Sequence, residues 1–221
     1  MAQLTDIDTW VFDLDNTLYP PDMALFPQVN AKMTAYVMKA LGVPQPEADN
    51  LRHHYYMEYG TTLAGLMANH DIDPDPYLVA VHDIDFAVLS PDPALAKAIA
   101  ALPGRKIIYT NGSAPYATAV AHARGLDGLF DAIYGVEHAK YHPKPSASAF
   151  QIIFAKDDLT PTKAAMFEDE ARNLRVPHAM GLTTIHVAPD VAPDMAPDMA
   201  DGTHIHHHTN NLTHFLQTLP T

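Results

Sequence analysis

Apolar and polar positions follow two rhythms along this chain. Thr9 to Leu14 (TWVFDL) is a short apolar run that ends in acidic residues, the pattern of a buried strand. From Pro27 to Leu41 the apolar residues Val29, Met33, Tyr36, Val37, Ala40 and Leu41 recur at helical spacing, and Gly42 and Pro44 mark the stop. Pro46 to Glu58 and Thr61 to His70 read as further helices separated by Gly60. Asp71 to Pro76 (DIDPDP) reads as a turn-rich break, and Pro93 to Leu102 as an Ala-rich helix.

Beyond Pro103 and Gly104, strands alternate with helices. Arg105–Thr110, Ala132–Tyr134, Ala164–Glu168 and Thr183–Val187 read as strands, with helices at Pro115–Arg124, Ser146–Phe154 and Asn173–Met180. That alternation predicts a parallel sheet. Ala188–Asp201 repeats Ala-Pro-Asp, and its prolines withhold backbone donors, so an extended surface loop is expected. Thr203–Thr209 reads as a short strand and turn, and a last helix lies near Asn210–Leu219. The expected fold is α/β: a Rossmann-like three-layer core with a parallel sheet, made from residues 1–19 and 92–221. A small helical cap domain, residues 20–91, is inserted after the first strand.

Composition narrows the classes. The 221 residues are 48% hydrophobic and 18% charged, enough for one sizeable core, or a core plus a small accessory domain, and unlike a disordered chain. A net charge of −13 repels nucleic acid and anionic membranes, so neither is an expected partner. The absence of cysteine excludes disulfides, thiol nucleophiles and thiolate metal sites. Met1–Trp10 carries Asp6 and Asp8 without a basic flank and does not read as a signal peptide. No apolar run approaches the ~20 residues of a bilayer span, so the cytoplasm is the expected location.

Four polar signals each follow a strand or lead into a helix: Asp13-Leu14-Asp15-Asn16-Thr17, Thr110-Asn111-Gly112, Lys144 in His142–Ser146, and Glu168-Asp169. In a parallel sheet they converge on one crevice at the strands' C-terminal edge. The chemistry that needs them is phosphoryl transfer. Asp13 would attack phosphorus. Asp15 would protonate the leaving alkoxide and then deprotonate water. Mg²⁺ would be held by Asp13, Asp169 and the Asp15 carbonyl, with Glu168 behind orienting the ligands. Lys144 would offset charge on the phosphoryl oxygens and on Asp13, while Thr110 and the amides near Asn111 and Gly112 cradle the phosphate.

In this order, DLDNT, TNG, KPS and FED resemble the motifs of the haloacid dehalogenase superfamily of phosphohydrolases, from Asp13 to Asp169. The resemblance implies an aspartyl-phosphate intermediate, Mg²⁺ and a helical cap between the first two motifs. A second acid, here Asp15, resembles the phosphatase branches and not the dehalogenases. Asp13–Tyr19 (DLDNTLY), Glu58–Leu66 (EYGTTLAGL), Phe167–Asn173 (FEDEARN) and His178–Thr184 (HAMGLTT) resemble the pyrimidine 5′-nucleotidase subfamily. That implies a small phosphorylated metabolite as substrate, a nucleoside monophosphate such as UMP or CMP. Two positions depart from the pattern: Glu170 replaces the usual small residue, and Asn173 stands where many members have Asp. An extra carboxylate at 170 would tighten metal binding or repel phosphate.

Other residues have plainer readings beside the functional one. Tyr59, Gly60, Thr61 and Thr62 lie at a helix break and are candidate substrate contacts. Arg52-His53-His54-Tyr55-Tyr56 suggests a base-stacking platform, but internal packing accounts for most of it. Arg172 and Arg175 read as ion-pair formers. His204, His206, His207 and His208, with His214 nearby, read as alternately exposed histidines with adventitious metal affinity. Two other functions share the motifs: a phosphomutase or phosphatase for sugar phosphates, and a retired scaffold that binds nucleotide or metal without catalysis.

Overall fold

The structure is a computed structural model that describes residues 4–189 and 202–219. Of the Ala188–Asp201 tract, residues 190–201 lie outside the described residues. β1 (Thr9–Phe12) is buried throughout, and its side chains alternate between two apolar layers. Trp10 and Phe12 point into one, with Ile108, Phe167 and Val120; Val11 points into the other, with Ile107, Met166 and Phe150. Both faces are covered, so the run carries no polar alternation.

Four helices follow: α1 (Leu25–Leu41), α2 (Gln45–Tyr59), α3 (Thr62–His70) and α4 (Pro74–Val81). They close around their own apolar cluster, including Val37, Tyr55, Leu63, Leu66, Tyr77 and Val81. Each such buried side chain contributes about 1.5–3 kcal/mol. α1 ends at Gly42, in the left-handed region with φ 68°. α4 corrects the expectation of a break through Pro76. The break ends at Asp73, whose carboxylate accepts the Asp75 N–H, and Pro74 occupies the first turn. Proline is at home there because that N–H has no helical partner.

The chain then alternates as expected through α5 (Pro93–Ala101), β2 (Arg105–Tyr109), α6 (Ala114–Ala123), β3 (Ala132–Tyr134), α7 (Ala147–Lys156), β4 (Ala164–Glu168), α8 (Arg175–Met180), β5 (Thr183–Val187), β6 (His207–Thr209) and α9 (Leu212–Gln217). The predicted helix from Asn173 opens instead as a 3-10 turn, Ala171–Leu174, before α8. The six strands are parallel in the order β3-β2-β1-β4-β5-β6. β1 is central, with Val11 opposite Ile107 of β2 and Met166 of β4. This is the expected Rossmann-like α/β fold.

Arg124, at the end of α6, joins the chain segments through which the helical stretch leaves and returns. Its guanidinium donates to the Leu18 carbonyl at 3.2 Å and to the Ser90 carbonyl, and pairs with Asp92 at 2.9 Å. Among the described residues no helix is long and apolar enough to cross a membrane.

Candidate active site

β1 ends at Phe12, β2 at Tyr109 and β4 at Glu168, so Asp13, Thr110 and Asp169 each sit one residue beyond a strand at the same edge. Strand order reverses there, on either side of β1, which opens a crevice in this kind of sheet. A cavity of about 480 Å³ occupies it, with floor residues Asp13, Asp15, Thr110, Lys144, Glu168 and Asp169.

Lys144 reaches the floor from the loop before α7. Asn111 fixes that loop: its side chain accepts the Lys144 N–H at 2.8 Å and donates to the Lys144 carbonyl at 3.1 Å. The ammonium lies 2.6 Å from Asp13 Oδ1, 2.6 Å from Glu168 Oε2 and 3.1 Å from the Tyr109 carbonyl. Burial works against that charge, but Asp13 and Glu168 outweigh it and hold the lysine pKa above its ordinary value.

The carboxylates outnumber this cation. Burial, followed by repulsion from Glu168, pushes Asp13 up to about 8, although Lys144 opposes the shift. Burial and the charges of Glu168 and Asp13 raise Asp169 well above the carboxylate range. Ligand oxygens of Asp13, Glu168 and Asp169 lie within 4.8 Å of one another, the one converging set of metal-type ligands among the described residues. Asn16 donates to Asp169 at 3.1 Å, and Asn173 Oδ1 is buried on the cavity wall without a partner. Hard oxygen donors with unrelieved negative charge fit a small divalent cation such as Mg²⁺.

Asp15 is held separately. Its Oδ1 accepts hydrogen bonds from the hydroxyls of Tyr19 and Tyr116, both at 2.6 Å. Burial raises its pKa, and these two hydrogen bonds oppose the rise. The Thr110 hydroxyl oxygen accepts the Gly112 N–H at 2.9 Å, which fixes the turn after β2.

Asn111, Gly112, Gly60, Thr61 and Thr62 also line the cavity. Gly60 has φ 88°, and a Cβ there would stand 3.2 Å from the Lys144 carbonyl, so glycine lets the end of α2 close on the lysine loop. Tyr59 is the exception among the expected contacts. It does not reach the cavity, because its ring packs 5.9 Å from Tyr55 in the helical cluster.

The suspected stacking platform divides by helical phase. Tyr55 is buried and bonds His70 at 2.6 Å, and His54 pairs with Glu58 on the outer face. Arg52, His53 and Tyr56 turn to the cavity, joined by Asn30, Asp49, Tyr77 and His82, which sequence reasoning passed over. Glu170 is not drawn to the acidic cluster. It accepts from the Tyr56 hydroxyl and from Arg172 Nε, each at 2.7 Å. Arg172 lies 3.8 Å over the Tyr56 ring and forms the expected ion pair.

The histidines near the end of the chain are not uniformly exposed. His204 is buried, and its Nε2 donates to the Ala171 carbonyl at 2.9 Å; His186 likewise holds the Asp169 carbonyl at 2.8 Å. These bonds brace the Asp169–Ala171 loop, which explains why His204 is withdrawn from solvent.

A family model described as haloacid dehalogenase-like hydrolase matches residues 7–181. "Phosphate metabolism protein 8" of Saccharomyces cerevisiae is 26% identical over 199 residues, covering 81% of this chain and 61% of the yeast protein. The chain thus spans less than two thirds of that relative's length. A haloacid dehalogenase-like family hydrolase from Streptococcus pneumoniae superposes with TM-score 0.62 at 17% identity, covering 96% of this chain and 98% of that one. L-2-haloacid dehalogenase from Xanthobacter autotrophicus, with chloropropionic acid covalently bound, gives 0.55 at 19% identity, covering 95% and 86%. At these identities the structural likeness speaks for the fold.

Proposed function

The chain belongs to the haloacid dehalogenase-like hydrolase family, and from that premise we propose that it is a Mg²⁺-dependent phosphomonoesterase acting through phosphorylated Asp13. We read its substrate as a pyrimidine 5′-nucleotide, UMP or CMP. Residues 20–91 would form a cap over a core made of residues 1–19 and 92–221.

The observation that carries the phosphatase reading is Asp15. A departing halide needs no proton, whereas a departing alkoxide does. A buried carboxyl with a raised pKa, held two residues from the nucleophile, supplies one. Asp13 attacks phosphorus as its P–O bond to the leaving group breaks, and Asp15 gives its proton to that oxygen. Asp15 then takes a proton from water as water attacks the phosphoryl group, releasing phosphate and restoring Asp13. Lys144 favours the ionised form of Asp13 against the burial that raises its pKa, holds it in place and faces the charge on the phosphoryl oxygens. The Thr110 hydroxyl and the Asn111 backbone amide bind those oxygens, the Gly112 N–H being held by Thr110 Oγ1. Asp13, Asp169 and the Asp15 carbonyl would hold Mg²⁺, which supplies neutralisation of phosphoryl charge.

The test is phosphate release from a panel of 5′-nucleotides, sugar phosphates and phosphoglycolate, with Mg²⁺ or with EDTA. EDTA-sensitive release strongest with UMP or CMP supports the whole reading. A preference for another ester would keep the Asp13 chemistry and remove the nucleotide assignment. Consumption of a sugar phosphate with little free phosphate would point to transfer between hydroxyls.

A further inference from the structure

On the helical side of the cavity, Arg52 stands out. Its Nη1 donates to Thr34 Oγ1 and its Nη2 to Asn30 Oδ1, each at 2.6 Å, and Asp49 lies 3.7 Å away. Thr34 in turn donates to Asp49 Oδ1 at 2.7 Å. The network positions the guanidinium, yet its Nε is buried without a hydrogen-bond partner. That unmet donor costs about 1–3 kcal/mol, and it lies beneath the surface, so something bound in the cavity would meet the guanidinium's outer N–H groups instead. Arg52, Asn30 and Asp49 all line the cavity whose floor holds Asp13.

Charge and shape identify that something. Asp49 neutralises Arg52, so the spot offers little to a second phosphate or a free carboxylate. What remains is the guanidinium's spare N–H beside the Asp49 carboxylate, a donor next to an acceptor and so the complement of an amide-like edge that carries both an acceptor and a donor. Heterocyclic base edges present that pattern. The neighbouring walls are apolar: Phe26, Val29 and Met33 from α1, with Leu78 and Val81 from α4. They suit the faces of a planar ring. About 480 Å³ falls in the size range of pockets for small organic ligands.

We propose that Arg52, positioned by Asn30 and Thr34 and paired with Asp49, reads the polar edge of the substrate's heterocycle and sets specificity. This deepens the nucleotide reading above and rests on it. The phosphoryl group sits on Lys144 and Thr110, and the ring's edge meets Arg52 across the cavity.

The experiment compares kcat/KM for UMP with that for ribose 5-phosphate, which keeps the phosphate and sugar and lacks the base. In the wild-type protein UMP is expected to win. In Arg52→Ala the ratio of the two should fall by about ten-fold or more, the equivalent of one lost good hydrogen bond. Arg52→Lys keeps the charge and stem but loses the fork, and should lose most of the ratio too. Should Arg52→Ala fail to fold, judged by its melting midpoint, Arg52→Lys decides. A wild-type preference for UMP that survives in the folded variant overturns the role of Arg52 while the nucleotide reading stands. A wild-type protein indifferent to the base removes the nucleotide reading and this subsite with it.

Discussion

The Tyr56 hydroxyl donates to Glu170 Oε1 at 2.7 Å, which ties α2 to the loop after β4. Glu170 is thereby spent on Tyr56 and Arg172 and turned from the acidic cluster one residue away. Metal affinity should follow this geometry. On the proposed Mg²⁺ site, Asp169→Asn would remove a ligand oxygen and should raise the Mg²⁺ concentration for half-maximal turnover by about ten-fold or more. Glu170→Ser should leave that concentration within about two-fold, since no ligand is lost. A Mg²⁺ titration of both variants checks the pair. Equal shifts would place Glu170 among the ligands.

Lys144 is a buried cation between two buried carboxylates, Asp13 and Glu168, each 2.6 Å away. Removing one partner from such a network leaves uncompensated charge and costs about 3–5 kcal/mol. Lys144→Ala should therefore lower both turnover and stability, the latter by that order in chemical denaturation. Glu168→Gln should recover part of the stability in the double variant without restoring turnover. A Lys144→Ala protein as stable as wild type would show that these carboxylates are not charged in the folded state.

The strand ends were legible in the sequence because a strand that is apolar on both faces and then turns acidic has few other readings. Thr9–Phe12 and Ala164–Glu168 both show this, and they place Asp13 and Asp169. The helical side was harder. Positions 52, 56 and 60 share one side of α2, and 55 and 59 share another, but amphipathicity is weak when both sides carry tyrosine. Tyr59 therefore reads as a contact but packs, partly buried, against the helical cluster, while Arg52 reads as packing and lines the cavity. α4 was hidden by Pro74 and Pro76, which mark turns as readily as first helical turns. Glu170's partner is 114 residues away, beyond the reach of local pattern.

His82 gives a pH signature. Burial pushes its pKa down to about 4 from 6.5, and its ring stacks on Tyr116 at 4.1 Å. The unfolded chain takes up this proton as pH falls through 6.5, whereas the folded chain holds out until about 4. The stabilisation is therefore complete above 6.5 and is lost as pH falls across that window, by about 3 kcal/mol. His82→Phe keeps a stacking ring and cannot titrate. The difference in unfolding free energy between wild type and variant should change by about that amount between about pH 7 and about pH 4. A difference that stays constant with pH would mean that His82 protonates freely in the folded protein.

The central claim is that Asp13 carries the phosphoryl group. Turnover of UMP quenched in acid, followed by borohydride reduction and peptide mass mapping, tests it directly, because borohydride converts an aspartyl phosphate to homoserine. The account predicts homoserine at position 13 in the wild-type protein, and neither that product nor turnover in Asp13→Asn. Steady turnover with no reduced residue at position 13, or with the reduced residue elsewhere in the chain, would contradict it.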